Sequence, residues 1–285
     1  MLDQPVILID SNNACWRAAH SVQSVDEPIP PRSRERSIAY GMMSEMSRAM
    51  ERFRSARVLL CGDHPDGSTL RKELFPEYKQ KRTLDLSPQD LLFREKVGIG
   101  LKRLRNCLRA AGYQGYVQAA GYEADDLIAA FCHHFWDEEK VIVSTDHDLF
   151  QLLDGKTVIH RPGTKAGLMT LQEFYKTYRI TPTDWVTVKA LAGCTSDNVP
   201  GCDGIGEYSV LAYLNNKLTG RRLEKIEAHR LTPEYRRDRK LVTVPFDDQM
   251  EAGCKLVAAR PFAWTEAVWD RACLSLGITT LPFTL

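Results

Sequence analysis

Eight carboxylates are the residues best placed to do chemistry: Asp10, Asp63, Glu123, Asp125, Asp126, Asp146, Asp148 and Asp197. Three of them fall within Glu123-Ala124-Asp125-Asp126, ahead of a run in which Leu127, Ile128, Phe131 and Phe135 recur at helical spacing. Acids in a first helical turn complement the positive end of the helix dipole, and one or two need no further account. Three together repel one another unless a cation lies among them. Hard oxygen ligands without His or Cys partners suit Mg²⁺ or Mn²⁺ rather than zinc. More carboxylates than one ion needs points to two ions, typically about 4 Å apart, clamping a phosphate.

Taken singly, each of these acids is better explained as a helix cap or a surface ion pair. Their placement argues otherwise. Residues 5–9, 57–61 and 140–144 read as buried strands, 116–119 as a weaker one and 157–160 as another. Asp10, Asp63, Glu123, Asp146 and Asp148 follow these strands or begin the next helix. Helices are predicted over 35–53, over 88–111 with a bend at Gly98 and Gly100, and from Glu123 onward. Ser87-Pro88-Gln89-Asp90 is a strong helix start. Residues 11–34 read as a polar stretch and 64–86 as a basic, turn-rich segment. Strands alternating with helices indicate an α/β fold with a largely parallel sheet, whose functional crevice lies at the carboxyl ends of its strands. Beyond 167 the pattern turns helical, at 171–178, 182–192, 208–215 and 220–240, with a tail helix over 264–276.

Two further constellations flank the acids. Arg71-Lys72-Glu73-Leu74-Phe75-Pro76-Glu77-Tyr78-Lys79-Gln80-Lys81-Arg82 interleaves bases with a tyrosine. This combination suits single-stranded nucleic acid, although most such stretches are solvated loops. The span from Gly193 to Glu207 carries four glycines, and its Gly204-Ile205-Gly206 turn feeding a helix is a natural phosphate cradle, a weak signal on its own. The basic stretch Lys217–Lys240 follows it.

A net charge of +1 over 285 residues neither requires nor excludes a nucleic-acid partner. No apolar run is long enough to span a bilayer, and the N-terminus lacks the pattern of a signal peptide. Eight cysteines without a Cys-x-x-Cys pair indicate neither a zinc cluster nor a disulfide framework, which fits a reducing cytoplasm. The adjacent His133 and His134 point different ways on a helix and read as surface residues.

In order and spacing, the motifs resemble the flap endonuclease family of 5′ nucleases. The likeness is to the bacteriophage 5′→3′ exonucleases and the 5′-nuclease domain of bacterial DNA polymerase I. It is carried by Ile9-Asp-Ser-Asn-Asn13, by Arg71 with Pro76-Glu-Tyr-Lys79 and Arg82, by Tyr122-Glu-Ala-Asp-Asp126, by Ser144-Thr-Asp-His-Asp-Leu149, and by Ser196-Asp-Asn-Val-Pro-Gly201 with Gly204-Ile-Gly206. It runs from about Val6 to Asn215.

The resemblance implies a PIN-like nuclease core over 1–166, including a helical arch over about 64–100, and a mainly helical DNA-binding region over 167–285. The latter would hold a helix-hairpin-helix-like module over about 182–215 and a C-terminal segment packed on the core. It implies a first metal at Asp10, Asp63, Glu123 and Asp125, with Asp126 acting through water, and a second at Asp146, Asp148 and Asp197. Lys79 and Arg82 would steady the scissile phosphate and Tyr78 would stack near it. Arg71, Lys72, Lys81, Gly204, Gly206, Lys217, Arg221 and Arg222 would contact DNA, with a K⁺ ion at the turn from Gly201 to Gly206. The implied substrate is DNA with a 5′ end or 5′ flap, with RNA–DNA hybrids as a companion. The implied setting is a monomer working beside replication proteins in a bacterial or phage-infected cell, with no polymerase module in a chain of this length.

Two positions depart from the family pattern. Cys194 stands where the family often has Asp, and a neutral thiol is a poor Mg²⁺ ligand. Glu207 and Tyr208 follow the Gly-Ile-Gly turn where a basic residue is common. Two rivals remain at this stage. One is a branched-DNA-binding homologue with weakened catalysis. The other is a shorter ribonuclease of the related PIN type, against which the length and the Gly-Ile-Gly segment argue.

Overall fold

The computed structural model describes residues 4–23, 31–82, 84, 86–163, 165, 167–246, 262–279 and 281–283; of 22–23 and 31–36 it describes the backbone only. Its centre is a six-stranded sheet of β1 (Val6–Asp10), β2 (Val58–Cys61), β3 (Tyr116–Val117), β4 (Lys140–Val143), β5 (Thr157–His160) and β6 (Leu168–Met169), in the order β3-β2-β1-β4-β5-β6. All pairs are parallel except β5–β6, which closes as an antiparallel hairpin. The apolar runs that mark β1, β2 and β4 in the sequence are buried throughout, as expected of parallel strands covered on both faces. The strand order reverses direction between β1 and β4, which creates a crevice beyond their carboxyl ends.

Alternation along β1 sends Val6 and Leu8 to one face and Ile7 and Ile9 to the other. The first face is covered by α5 (Ala124–His134), α6 (Leu171–Tyr178), α7 (Trp185–Ala192), α8 (Glu207–Leu214), α9 (Arg221–Arg230) and α10 (Pro233–Val242). The second is covered by α1 (Ser11–Gln23), α2 (Pro31–Phe53), α4 (Pro88–Ala110) and α11 (Glu266–Leu276). The short α3 (Thr69–Leu74) runs over the crevice. The boundary expected at 166 falls in the turn between two strands of one sheet, and a single apolar cluster joins that sheet to α6–α10.

Three elements differ from the sequence reading. Residues 11–23 form α1 rather than a polar connection. Its buried stripe is Ala14, Cys15, Ala18 and Ala19, residues too small to register as an apolar face but suited to close helix packing. Helix α4 is unbroken through Gly98 and Gly100. Gly100 is where α2 comes closest: a Cβ there would lie 3.0 Å from Ile38 Cγ2. The stretch 182–192 divides into a 3₁₀ turn at Pro182–Asp184 and the helix α7. The helix start expected at Ser87-Pro88-Gln89-Asp90 is formed, and it closes as a capping box in which each of Ser87 and Asp90 accepts from the other's backbone N–H. At the C-terminus Trp264 stacks on Tyr113 with ring centroids 3.9 Å apart, and Trp269 is fully buried.

Arg71 corrects a second expectation. It does not face DNA: it is only 2% exposed. Its guanidinium donates two bonds to Asp126, at 2.7 and 2.8 Å, and one to Leu241 O at 3.1 Å, so α3, α5 and α10 meet at one side chain. A buried ion pair that loses one partner leaves an uncompensated charge, at about 3–5 kcal/mol. Arg71→Ala should therefore destabilise the protein by about that amount in urea denaturation. Lys72→Ala, at the exposed neighbour, should cost almost nothing, and equal costs for the two would contradict the assignment.

Candidate metal centre and active site

Seven of the eight acids meet at the crevice. Asp10 ends β1, Asp63 lies two residues past β2, Glu123 is the N-cap of α5 with Asp125 in its first turn, and Asp146 and Asp148 follow β4. Asp197 arrives from the far side, on the loop after α7. Two asparagines lock the strand ends together. Asn12 Oδ1 accepts from Asp63 N at 3.0 Å, and Asn13 Oδ1 accepts from Thr145 N at 3.1 Å. Asp10 itself accepts from Asn13 N and from Ser144 Oγ.

Asp126 is the acid that does not belong. It was expected to help a metal through water, but it is fully buried and its two oxygens accept from four donors: twice from Arg71, and from the backbone N–H groups of Glu123 and Phe246. It is a structural carboxylate.

The remaining acids fall into two electrostatic groups. Three have organic cations. Lys79 Nζ reaches Glu123 Oε1 at 2.6 Å, Arg82 pairs with Asp197, and Lys189 Nζ lies 2.7 Å from Asp148 Oδ1. Lys79 and Arg82, in consequence, hold Asp197 below the usual carboxylate range in spite of its burial. Among the described residues no basic side chain pairs with Asp10, Asp63, Asp125 or Asp146. Burial, reinforced by Asp63 and Asp146, pushes Asp10 up to about 7. Burial and the Asp146 and Asp10 charges push Asp125 well above its ordinary value, and burial raises Asp63. Asp148 rises to about 6 through burial and Asp146, against the pull of Lys189. Asp146 therefore adjoins both Asp10 and Asp125 on one side and Asp148 on the other. Asp10, Asp63, Asp125 and Asp146 thus lack a direct ion pair among the described residues, and oxygen donors of this kind could hold a hard divalent cation.

Two loops close over this set. The Lys79 backbone adopts the left-handed conformation, φ +58°, uncommon outside glycine, and its N–H donates to Asp197 O at 2.9 Å. Asn198 Nδ2 donates to Glu77 O, and Arg82 Nε to Ser196 O. Tyr78 departs from its expected role. At 2% exposure it cannot stack on a base. Its hydroxyl instead lies 3.1 Å from Glu123 Oε2 and 3.2 Å from Asp197 Oδ2, and burial keeps the phenol protonated as donor. Lys72, Lys81, Lys217, Arg221 and Arg222 are exposed, as DNA contacts must be, and so are Gly204 and Gly206. Gly204 takes φ +71° and Gly206 caps α8 without a side-chain bond. Lys189 was not anticipated. It lies on a helix reached only through tertiary packing, and no local pattern marks it.

Residues 5–179 match the family described as 5′-3′ exonuclease, N-terminal resolvase-like domain. The chain belongs to this 5′-3′ exonuclease family. A family relative from Halalkalibacterium halodurans, a 5′-3′ exonuclease, is 45% identical over 125 residues, 42% of this chain and 40% of that protein. DNA polymerase I of Lactococcus lactis subsp. cremoris is 29% identical over 219 residues, 73% of this chain and 24% of the polymerase. The matched stretches thus span well under two thirds of these relatives' own lengths. Among solved structures, the bacteriophage T5 D15 flap endonuclease, in a complex with DNA and metal ions, is similar with a TM-score of 0.70. The identity is 19%, over 95% of this chain and 97% of that one. At that identity the likeness speaks to the fold, and it agrees with the largely parallel sheet and its flanking helices. The described residues contain no helix long and apolar enough to cross a membrane, and their seven cysteines are all free thiols.

Acids with raised folded-state pKa values bind protons that the unfolded chain has already released, so stability falls as pH rises between the unfolded and folded values. With Asp148 near 6 and Asp10 near 7, the metal-free protein should melt at progressively lower temperature as pH rises from about 5 to 8. Asp125→Asn should flatten that slope, and a divalent salt should raise the melting temperature most at the alkaline end. A flat profile in the chelated wild type would contradict the uncompensated cluster.

Proposed function

We propose that this chain is a divalent-metal-dependent 5′ nuclease that cuts DNA bearing a free 5′ end or a 5′ flap. The observation that carries the reading is the counter-charge deficit at Asp10, Asp63, Asp125 and Asp146, set at the switch point of an exonuclease-family fold. Mg²⁺ or Mn²⁺ held there would lower the pKa of water and neutralise charge on the phosphate oxygens. Water attacks phosphorus in line, the bond to the 3′ oxygen breaks, and the product keeps a 5′-phosphate. Asp10, Asp63, Glu123 and Asp125 would hold one ion, and Asp146, Asp148 and Asp197 a second.

The chain's own groups set the geometry. Lys79 and Arg82 lie against Glu123 and Asp197; with a divalent ion bound to those carboxylates, both cations would be available as donors for the scissile phosphate. Tyr78, bonded to both, would hold Glu123 and Asp197 in register. Segment 64–100, with exposed Lys72 and Lys81, would guide the 5′ single strand. Lys217, Arg221 and Arg222 would track the duplex backbone beside the turn from Gly201 to Gly206, which offers N–H groups to phosphate and carbonyls to a K⁺ ion. RNA–DNA hybrids are a companion substrate on the same chemistry.

Asp125→Ala should lower Mg²⁺-dependent cleavage of a 5′-labelled flap by at least about 10²-fold, with the circular dichroism spectrum and flap binding unchanged. Product sizes from flap and blunt duplex substrates would separate endonucleolytic from exonucleolytic action. Near-normal rates in Asp125→Ala would refute the site. Wild-type protein that binds the flap tightly but leaves it intact in both Mg²⁺ and Mn²⁺ would instead mark a branched-DNA-binding protein.

A further inference from the structure

We propose that Asp148, Cys194 and Asp197 form a mixed thiolate–carboxylate site that takes a borderline divalent ion, of the Zn²⁺ or Co²⁺ class, in preference to Mg²⁺. The proposal rests on reading the acidic crevice as a two-ion nuclease centre, and concerns only which ion its second position prefers.

The sulfur is placed as a ligand atom. One donor atom from each of Asp148, Cys194 and Asp197 lies within 4.8 Å of the other two, close enough to share an ion. The loop that carries two of the three is closed on itself. Cys194 N donates to Val199 O at 2.9 Å, Val199 N returns to Cys194 O at 3.0 Å, and Asp197 N donates to Cys194 O at 3.2 Å. At its base Gly201 packs so tightly that a Cβ there would lie 2.4 Å from Gly193 N. Backbone bonds thus fix the loop, while the Asp197 carboxylate is also held by Arg82 and by the Tyr78 and Ser196 hydroxyls, bonds that an incoming ion would replace. The third donor, Asp148, already attracts a cation, the Lys189 ammonium at 2.7 Å. The Cys194 thiol meets the Ser196 hydroxyl at 3.1 Å and packs at the edge of the apolar cluster, beside Asp148 and Asp197. The next thiol along the loop, Cys202, is directed elsewhere, 4.0 Å from Lys225 O.

The donor chemistry then decides among ions. Mg²⁺ demands an octahedral oxygen shell and gives up water reluctantly. One sulfur among few carboxylates lowers its affinity, whereas Zn²⁺ and Co²⁺ accept mixed sulfur and oxygen donors. Binding exchanges the thiol proton for the metal: the S–H bond breaks, the proton goes to solvent and the sulfur–metal bond forms without oxidation or reduction. The first position keeps its all-oxygen set and with it a preference for Mg²⁺ or Mn²⁺.

The test is a Co²⁺ titration of the reduced full chain, followed by thiolate-to-cobalt charge-transfer absorption in the near ultraviolet. The band is expected in the wild type, absent in Cys194→Ser and retained in Asp125→Asn. Cys194→Asp should lack the band and bind Mg²⁺ at least about 10-fold more tightly by calorimetry. Should Cys194→Ser fail to fold, Zn²⁺ protection of wild-type Cys194 against alkylation, mapped by mass spectrometry, replaces it. A wild type without the band at saturating Co²⁺, a band that survives in folded Cys194→Ser, alkylation of Cys194 unaffected by Zn²⁺, or unchanged Mg²⁺ affinity in Cys194→Asp would overturn the proposal. Mg²⁺-dependent flap cleavage without the band would leave the nuclease reading intact; the band without cleavage in any metal would do the reverse.

Discussion

Like-charge repulsion at the carboxyl ends of β1 and β4 is the constraint around which the molecule is arranged. Seven carboxylates converge on one crevice, Asp10 and Glu123 buried and the others half-buried, where a charge is more costly than at the open surface. The fold meets this in two ways. It supplies Lys79, Arg82 and Lys189 to the acids at the rim, Glu123, Asp197 and Asp148. At the centre, among the described residues, no cation pairs directly with an acid; Lys79 pulls on Asp63 and Asp125 from the rim, yet burial and mutual repulsion still lift the pKa values of Asp10, Asp63 and Asp125. The remaining acid of the sequence pattern, Asp126, escapes the problem by turning away to Arg71.

That division gives the basic segment two successive uses. In the arrangement seen here Lys79 and Arg82 are counter-ions, and the left-handed backbone at Lys79 fits the loop against Asp197. Left-handed residues other than glycine hold strain, which persists only where surrounding bonds over-determine it. Here those bonds come from Tyr78, Arg82 and Asn198. The cations that neutralise the rim are thus held in place by the same loop-to-loop bonds that close over the acids.

Much of this was legible in the sequence, for physical reasons that differ by element. Strands β1, β2 and β4 are buried on both faces, so their apolar runs are continuous and easy to find, and the acids behind them mark the carboxyl edge of the sheet. Helix α1 escaped because its buried stripe is alanine and cysteine. The site was legible in composition but not in orientation. A basic residue near an acid cluster reads as a substrate contact, yet Arg71 points inward to Asp126, while Lys79 and Arg82 point across to Glu123 and Asp197. Tyr78 read as a stacking platform because burial is a tertiary property that no local pattern reveals. Lys189 could not be paired with Asp148 before α7 was known to pack on the turn after β4. Cys194, by contrast, was found in place beside Asp148 and Asp197.

The contact between Gly193 and Gly201 reaches beyond the turn it shapes. Because the chain re-enters its own path there, the residues between form a small closed cassette, while the central acids are fixed separately by the Asn12 and Asn13 cross-ties between strand ends. The loop thus contributes Cys194 and Asp197 to the crevice, and the strand ends and the start of α5 contribute the rest. Changes within the cassette bear first on Cys194 and Asp197 and reach Glu123 through the Tyr78 hydroxyl, which bonds both carboxylates, while the strand ends keep their own ties.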